Sequence, residues 1–209
     1  MPTVKLIPSS YYVSSSYLTV DDPENLYADV SSTTYGLITN THASTSYYYF
    51  YLRGFNLSAI PAGAQVESFT VKIRGRASGA YNASLYLAHG TTTISGATGT
   101  ALPNSSTVTT RTLATGSLTW ADIVGYGDTF GIRINCRRNA KGTVAKWYVY
   151  GAEIDVTYTE PAPQTGALYF KDGAGWTAAQ KAYKKVGGLW VEQSDLTQVF
   201  DPGANYVKG

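Results

Sequence analysis

General acid–base and nucleophilic catalysis draw on His, Cys and paired carboxylates held in matched protonation states. This 209-residue chain has two histidines and one cysteine. His42 stands in a Thr/Ser-rich stretch, and His89 closes an apolar run before Gly90. Neither has a second His or a Cys at zinc-ligand spacing, so both read as polar loop residues. Cys136 falls on the apolar side of an alternating run and has no disulfide partner, which makes it a small buried hydrophobe. Asp21, Asp22 and Glu24 form the densest carboxylate cluster. A hard cation such as calcium takes several oxygens, but the spacing fits no calcium loop and Pro23 marks a turn. They are weak calcium candidates, and no metal site is assigned. Asp122 with Asp128, and Glu153 with Asp155, are pairs that glycoside hydrolysis would need. Glu153 and Asp155 alternate with apolar residues and therefore read as the solvated face of a strand. No glycine-rich phosphate loop is present. The expectation is a non-enzyme with no catalytic residue and no cofactor.

Aromatic side chains offer a different chemistry, that of stacking on sugar rings or on another protein. Tyr alone, at 18, outnumbers Lys and Arg together, at 16. In the run 46–55, Tyr47, Tyr49, Tyr51 and Phe55 fall on one side of an extended chain, and Tyr48, Phe50 and Leu52 on the other. A strand apolar on both faces belongs between layers or at an interface. Trp120, Trp147, Trp176 and Trp190 are further stacking candidates, each equally suited to a core.

Two of these tryptophans belong to an internal repeat. Tyr169-Phe170-Lys171-Asp172-Gly173-Ala174-Gly175-Trp176 is followed fourteen residues later by Tyr183-Lys184-Lys185-Val186-Gly187-Gly188-Leu189-Trp190. Both obey Tyr-x-Lys-x-Gly-x-x-Trp. The pattern predicts two β-hairpins turning at their glycines, with Tyr169, Trp176, Tyr183 and Trp190 as interface or glycan-stacking candidates. Some 45 residues bury little apolar surface alone, so the module must pack on the preceding domain, on its own copies or on a partner.

The elements that position these residues are strands. Charged residues make up 14% of the chain, against roughly 25% in an ordinary soluble domain. Gly, Ser, Thr and Tyr take their place, a composition of strands and turns. Extended runs are read at Val4–Ile7, Tyr11–Val20, Leu26–Val30, Ser46–Phe55, Val66–Arg76, Tyr81–Leu87, Phe130–Cys136 and Tyr148–Tyr158. Residues 90–117 read as long loops with one weak edge strand. Trp120–Val124 reads as one helical turn capped by Thr119. The expected fold is all-β: a jelly-roll-like antiparallel sandwich over 1–159, a Pro-containing linker over 160–166 and a two-hairpin module over 167–209.

The net charge is +2, with basic residues scattered apart from Arg137-Arg138 and Lys184-Lys185. That balance carries no polybasic footprint for nucleic acid. No run of 18 apolar residues predicts membrane insertion, and the N-terminal residues lack the apolar stretch of a signal peptide.

Ile60-Pro61-Ala62-Gly63-Ala64-Gln65-Val66, continuing through Phe69–Arg76, resembles a recurrent β-sandwich of phage tail and other virion proteins. So do Phe130–Ile134 and Ala152–Thr159. Val186–Trp190 followed by Phe200–Tyr206 looks like the small terminal module of such proteins. The resemblance implies a structural component of a tailed-phage virion, at the tail tip, fibre, baseplate or capsid surface as a decoration. Its expected partners are other virion proteins and its own copies, as a homo-oligomer such as a trimer. Synthesis in the host cytoplasm without a signal peptide, and residence on the virion surface, follow from the same resemblance. The alternative is a carbohydrate-binding or receptor-binding adhesin module with a host surface glycan as partner.

Overall fold

A computed structural model describes residues 1–43, 45–80, 83–94, 100–141 and 143–160, and beyond them five strands between 169 and 208. The chain divides into two compact units, Met1–Ile60 with Val66–Thr159, and Glu160–Gly209 with Pro61–Gln65.

The first unit is a sandwich of two antiparallel sheets. Its strands are β1 (Thr3–Leu6), β2 (Ser10–Val13), β3 (Leu18–Asp21), β4 (Gly36–Asn40), β5 (Tyr49–Arg53), β6 (Gln65–Ser78) and β7 (Ala83–His89). Then come β8 (Thr92–Thr93), β9 (Thr100–Leu102), β10 (Thr109–Leu113), the helix α1 (Trp120–Tyr126), β11 (Phe130–Asn135) and β12 (Ala145–Thr159). The first sheet runs β10-β6-β12-β4-β3, with β1 also on β12. The second runs β2-β5-β11-β7-β8, with β9 also on β7. From β4 onward the chain crosses between sheets at each long strand: β4, β6, β10 and β12 lie in one, and β5, β7 and β11 in the other.

Period-2 alternation dictates what lies between the sheets. Val71 and Ile73 of β6, Ile38 of β4 and Trp147 and Val149 of β12 meet Phe50 and Leu52 of β5, Leu85 and Leu87 of β7 and Ile132 and Ile134 of β11 in one core. Along β12 the buried phase runs Ala145, Trp147, Val149 and then shifts to Ala152, Ile154, Val156. One extra residue at this point is a bulge, and there Ala152 N donates to Ala28 O at 2.9 Å. The bend allows β4 and β1 to share one edge of β12, β4 along Ala145–Val149 and β1 along Ile154–Thr157.

Several expectations are corrected. Residues 90–117 carry three short strands, β8, β9 and β10, because Thr pairs readily in strands although Ile94, Leu102 and Leu113 are the only large buried side chains among the described residues there. Tyr11–Val20 divides into β2 and β3, which belong to different sheets. Leu26–Val30 is not extended: Pro23–Leu26 is a 3-10 turn, favoured by Pro23 at its start, and it buries Leu26. β4 carries no run that the sequence reading picks out. The helical turn after Thr119 extends to Tyr126, with Thr119 and Asp122 closing a reciprocal capping box.

In the second unit β13 (Tyr169–Asp172) pairs with β14 (Gly175–Ala178), and β15 (Ala182–Val186) pairs with β16 (Leu189–Glu192). Tyr169 faces Ala178 and Lys171 faces Trp176; fourteen residues on, Tyr183 faces Glu192 and Lys185 faces Trp190. The two ladders share one register, so the sequence repeat is also a repeat of pairing. A further strand, β17 (Tyr206–Lys208), adds to the free edge of β15. Of the linker, only Glu160 lies within the described residues.

Candidate functional site

β5 buries Phe50 and Leu52 and turns Tyr49, Tyr51 and Arg53 to the outer side of the second sheet. Strand order then brings matching residues of β2, β11 and β7 beside them. One cross-strand row is Tyr12, Tyr51, Arg133 and Tyr86. The next is Ser10, Arg53, Gly131 and Ala88, and on the other side Tyr49 pairs with Asn135.

The arginines lie on the tyrosines. The Arg53 guanidinium is 4.9 Å from the Tyr12 ring centre and 4.7 Å from that of Tyr51. Arg133 is 4.8 Å from Tyr49 and 4.7 Å from Tyr86. Beyond the end of β11, Arg137 lies 4.7 Å from Tyr47 and donates to its hydroxyl at 2.9 Å and to Thr45 O at 2.8 Å. Arg53 also donates to Gly90 O. Each ring contact of this kind contributes about 0.5–1 kcal/mol. Gly131 makes the overlay possible, since a Cβ there would stand 2.0 Å from Leu52 O and 2.9 Å from the Cγ of Arg53.

Tyr51, 1% exposed, forms the floor, while Tyr12 at 43% and Tyr47 at 48% rise to solvent. Burial pushes the Tyr51 phenol up from its ordinary value, and the neighbouring Arg133 and Arg53 charges oppose that shift. The paired rows contain no carboxylate. Arg53 and Arg133 make no ion pair among the described residues, and the Nε atoms of both are buried without a hydrogen-bond partner.

The outer side of the first sheet is arranged differently. Glu153 accepts from Lys5 Nζ at 3.1 Å and from the Val30 amide at 3.3 Å, with Lys72 Nζ 3.6 Å away. Lys72 also bonds Asp155, and Lys5 lies 3.8 Å from Asp29. The hydrogen bond from Lys5 to Glu153 raises the lysine's pKa, that from Lys72 to Asp155 raises Lys72, and the Ser31 hydroxyl holds Asp29 below its usual range. Arg74 and Arg76 lie over Tyr150 and Tyr148, at 5.3 and 3.6 Å, and Tyr35 packs on both rings.

Tyr47, Tyr49 and Tyr51 are therefore together on one face. Phe55 is not: β5 ends at Arg53, Gly54 takes a φ of +71°, and the ring turns into the core 6.3 Å from Phe130. Trp147 is fully buried and presents no ring to a partner, and Trp120 packs 5.9 Å from Phe69. The side chains of Tyr169, Trp176, Tyr183 and Trp190 lie outside the described residues. Glu153 corrects the expectation of a solvated acid, because residues 28–30 cover it and leave it 1% exposed. Asp122 is held below its ordinary pKa by the Thr119 hydroxyl of the cap. It borders one shallow depression of about 340 Å³, and Asp128 borders another of about 630 Å³. Burial pushes the Cys136 thiol far up, so it is no thiolate nucleophile. His42 packs on Tyr17 at 4.2 Å, and His89 stacks on Tyr126 at 4.3 Å. Asp21, Asp22 and Glu24 do not converge, and no group able to hold a metal ion occurs among the described residues.

The site residues that sequence reasoning missed are Tyr12, Arg53, Tyr86 and Arg133. Parity alone places each outward, but nothing in the sequence says which strands are neighbours. No helix among the described residues is long and apolar enough to cross a membrane. Compared with known proteins, the chain matches no family model, no curated protein and no solved structure.

Proposed function

We propose that this protein is a non-catalytic structural component of a tailed-phage virion surface, acting by assembly with other virion proteins and with its own copies. The observation that carries the non-catalytic reading is that the thiol and three of the acids weighed in the sequence are engaged in bracing the sandwich. Cys136 is buried, Asp122 closes a helix cap, and Glu153 and Asp155 are tied to lysines. Placement on a virion rests on the resemblance of residues 60–76, 130–134 and 152–159. Light scattering on the full chain, with co-sedimentation on particles, tests it. A trimer or larger ring that sediments with particles is the expected result; a monomer that binds no particle overturns the reading.

A second reading, a glycan-binding module, is favoured by one observation. Exposed tyrosines and ring-stacked guanidiniums share a single sheet face.

A further inference from the structure

We propose that the outer face of the β2–β5–β11–β7 sheet binds a carboxylate-bearing polysaccharide, with sugar rings on the tyrosines and carboxylates at Arg53 and Arg133. The inference deepens the glycan-binding reading and is independent of whether the chain sits on a particle.

Charge complementarity selects an anion. The paired rows hold two arginines and no acid. On the first sheet Arg74 and Arg76 also lie on rings, but there Glu153 and Asp155 stand on the same face and neutralise Lys5 and Lys72. Both Nε atoms are buried and Arg53 Nη2 is taken by Gly90 O, so the donors left for a carboxylate are terminal amino groups, above all those of Arg133. The tyrosines hold the guanidiniums against their rings before any ligand arrives, which lowers the ordering cost of binding.

The side chains between the charges select a sugar. Tyr presents a flat apolar face and a hydroxyl rim, and the remaining members of the rows are Ser10, Asn135, Gly131 and Ala88. Tyr and Arg also occur at protein interfaces, but no Leu, Ile, Val or Met stands among these residues to form the apolar core of one. The depressions beside α1, which would anchor peptide side chains, include none of these residues. Nucleic acid is disfavoured by the net charge of +2 and by the absence of lysine from the rows.

Affinity electrophoresis of the full chain in gels containing polygalacturonate tests the proposal, with carboxyl-reduced polygalacturonate, poly-glutamate and single-stranded DNA as competitors. Retardation by polygalacturonate, lost on carboxyl reduction and weakened by salt, is expected. Arg133→Met should weaken it at least about tenfold, the loss of one charge-assisted pair. Arg76→Met, which removes the equivalent ring-stacked arginine of the first sheet, should leave it unchanged. Arg133→Lys keeps the charge without the fork; it should fall between the two and carries the test if near-UV circular dichroism shows Arg133→Met misfolded. Equal retardation by the reduced polymer, undiminished binding by a folded Arg133 variant, or tighter binding of poly-glutamate or DNA would each overturn the proposal. Failure here alongside a trimer in solution removes the glycan face and leaves the assembly reading standing.

Discussion

On the outer face of the first sheet Glu153 holds Lys5 at 3.1 Å and has Lys72 at 3.6 Å; on the second, Arg53 and Arg133 lie against tyrosine rings in paired rows that hold no carboxylate. Both faces rest on the same alternation of buried and outward residues. They differ in how a cation is stabilised. A carboxylate neutralises it, and once buried, as Glu153 is, the pair excludes other partners and its loss leaves an uncompensated charge. A tyrosine ring attracts it through the quadrupole but leaves its net charge and edge donors in place. The Lys5–Glu153–Lys72 group is thus a closed structural device, whereas Arg53 and Arg133, like Arg74 and Arg76 on the first sheet, keep their charge against a ring.

The comparison breaks most visibly at Gly131. Gly131→Ala would force a methyl group against Leu52 O and the Arg53 stem, and we expect a loss of about 3 kcal/mol in chemical denaturation. An Ala variant as stable as the parent would mean that Arg53 does not need the space. Next is Glu153→Ala, which removes a buried acceptor from two lysines and the Val30 amide. It should cost about 2 kcal/mol by the same measurement, the lysines being partly exposed and able to rehydrate. Arg133→Met removes two ring contacts and should cost about 1 kcal/mol. Should it destabilise more than Glu153→Ala, the second face would be the structural one and the contrast would reverse.

The smallest effect concerns pH. Asp29 has a depressed folded pKa, so its contribution is present above the unfolded value of about 3.9 and is lost as pH falls through the folded one. Lys5 and Lys72 are raised, so theirs is present below about 10.4 and is lost as pH rises through the folded values. Melting temperatures of Asp29→Asn and the parent should therefore converge as acid is added below about pH 4. Convergence at alkaline pH instead would contradict the assignment.

Legibility followed the reach of each interaction along the chain. The alternation of β6, β11 and the end of β12 was open to reading because burial on one side writes itself into every second residue. The Tyr-x-Lys-x-Gly-x-x-Trp repeat was open because a hairpin closes within a few residues, and its two ladders share one register. β10 was legible only as one weak edge strand somewhere in 90–117: its Thr-rich sequence pairs along β6 by backbone bonds and buries little beyond Leu113. Trp147 and Trp120 look equivalent in a list of stacking candidates, yet only Trp147 sits on the inward phase of a central strand.

By itself, the sequence determined the all-β class, the common face of Tyr47, Tyr49 and Tyr51 and the pairing repeat of the tail, because each depends on residues near in the chain. Tertiary structure alone decided that Tyr12, Arg133 and Tyr86, from three other strands, complete that face, and that Glu153 is buried beneath residues 28–30. Strand order and loop cover join positions as far apart as Val30 and Glu153, 123 residues along the chain, and farther still, and such contacts leave no local periodicity to read.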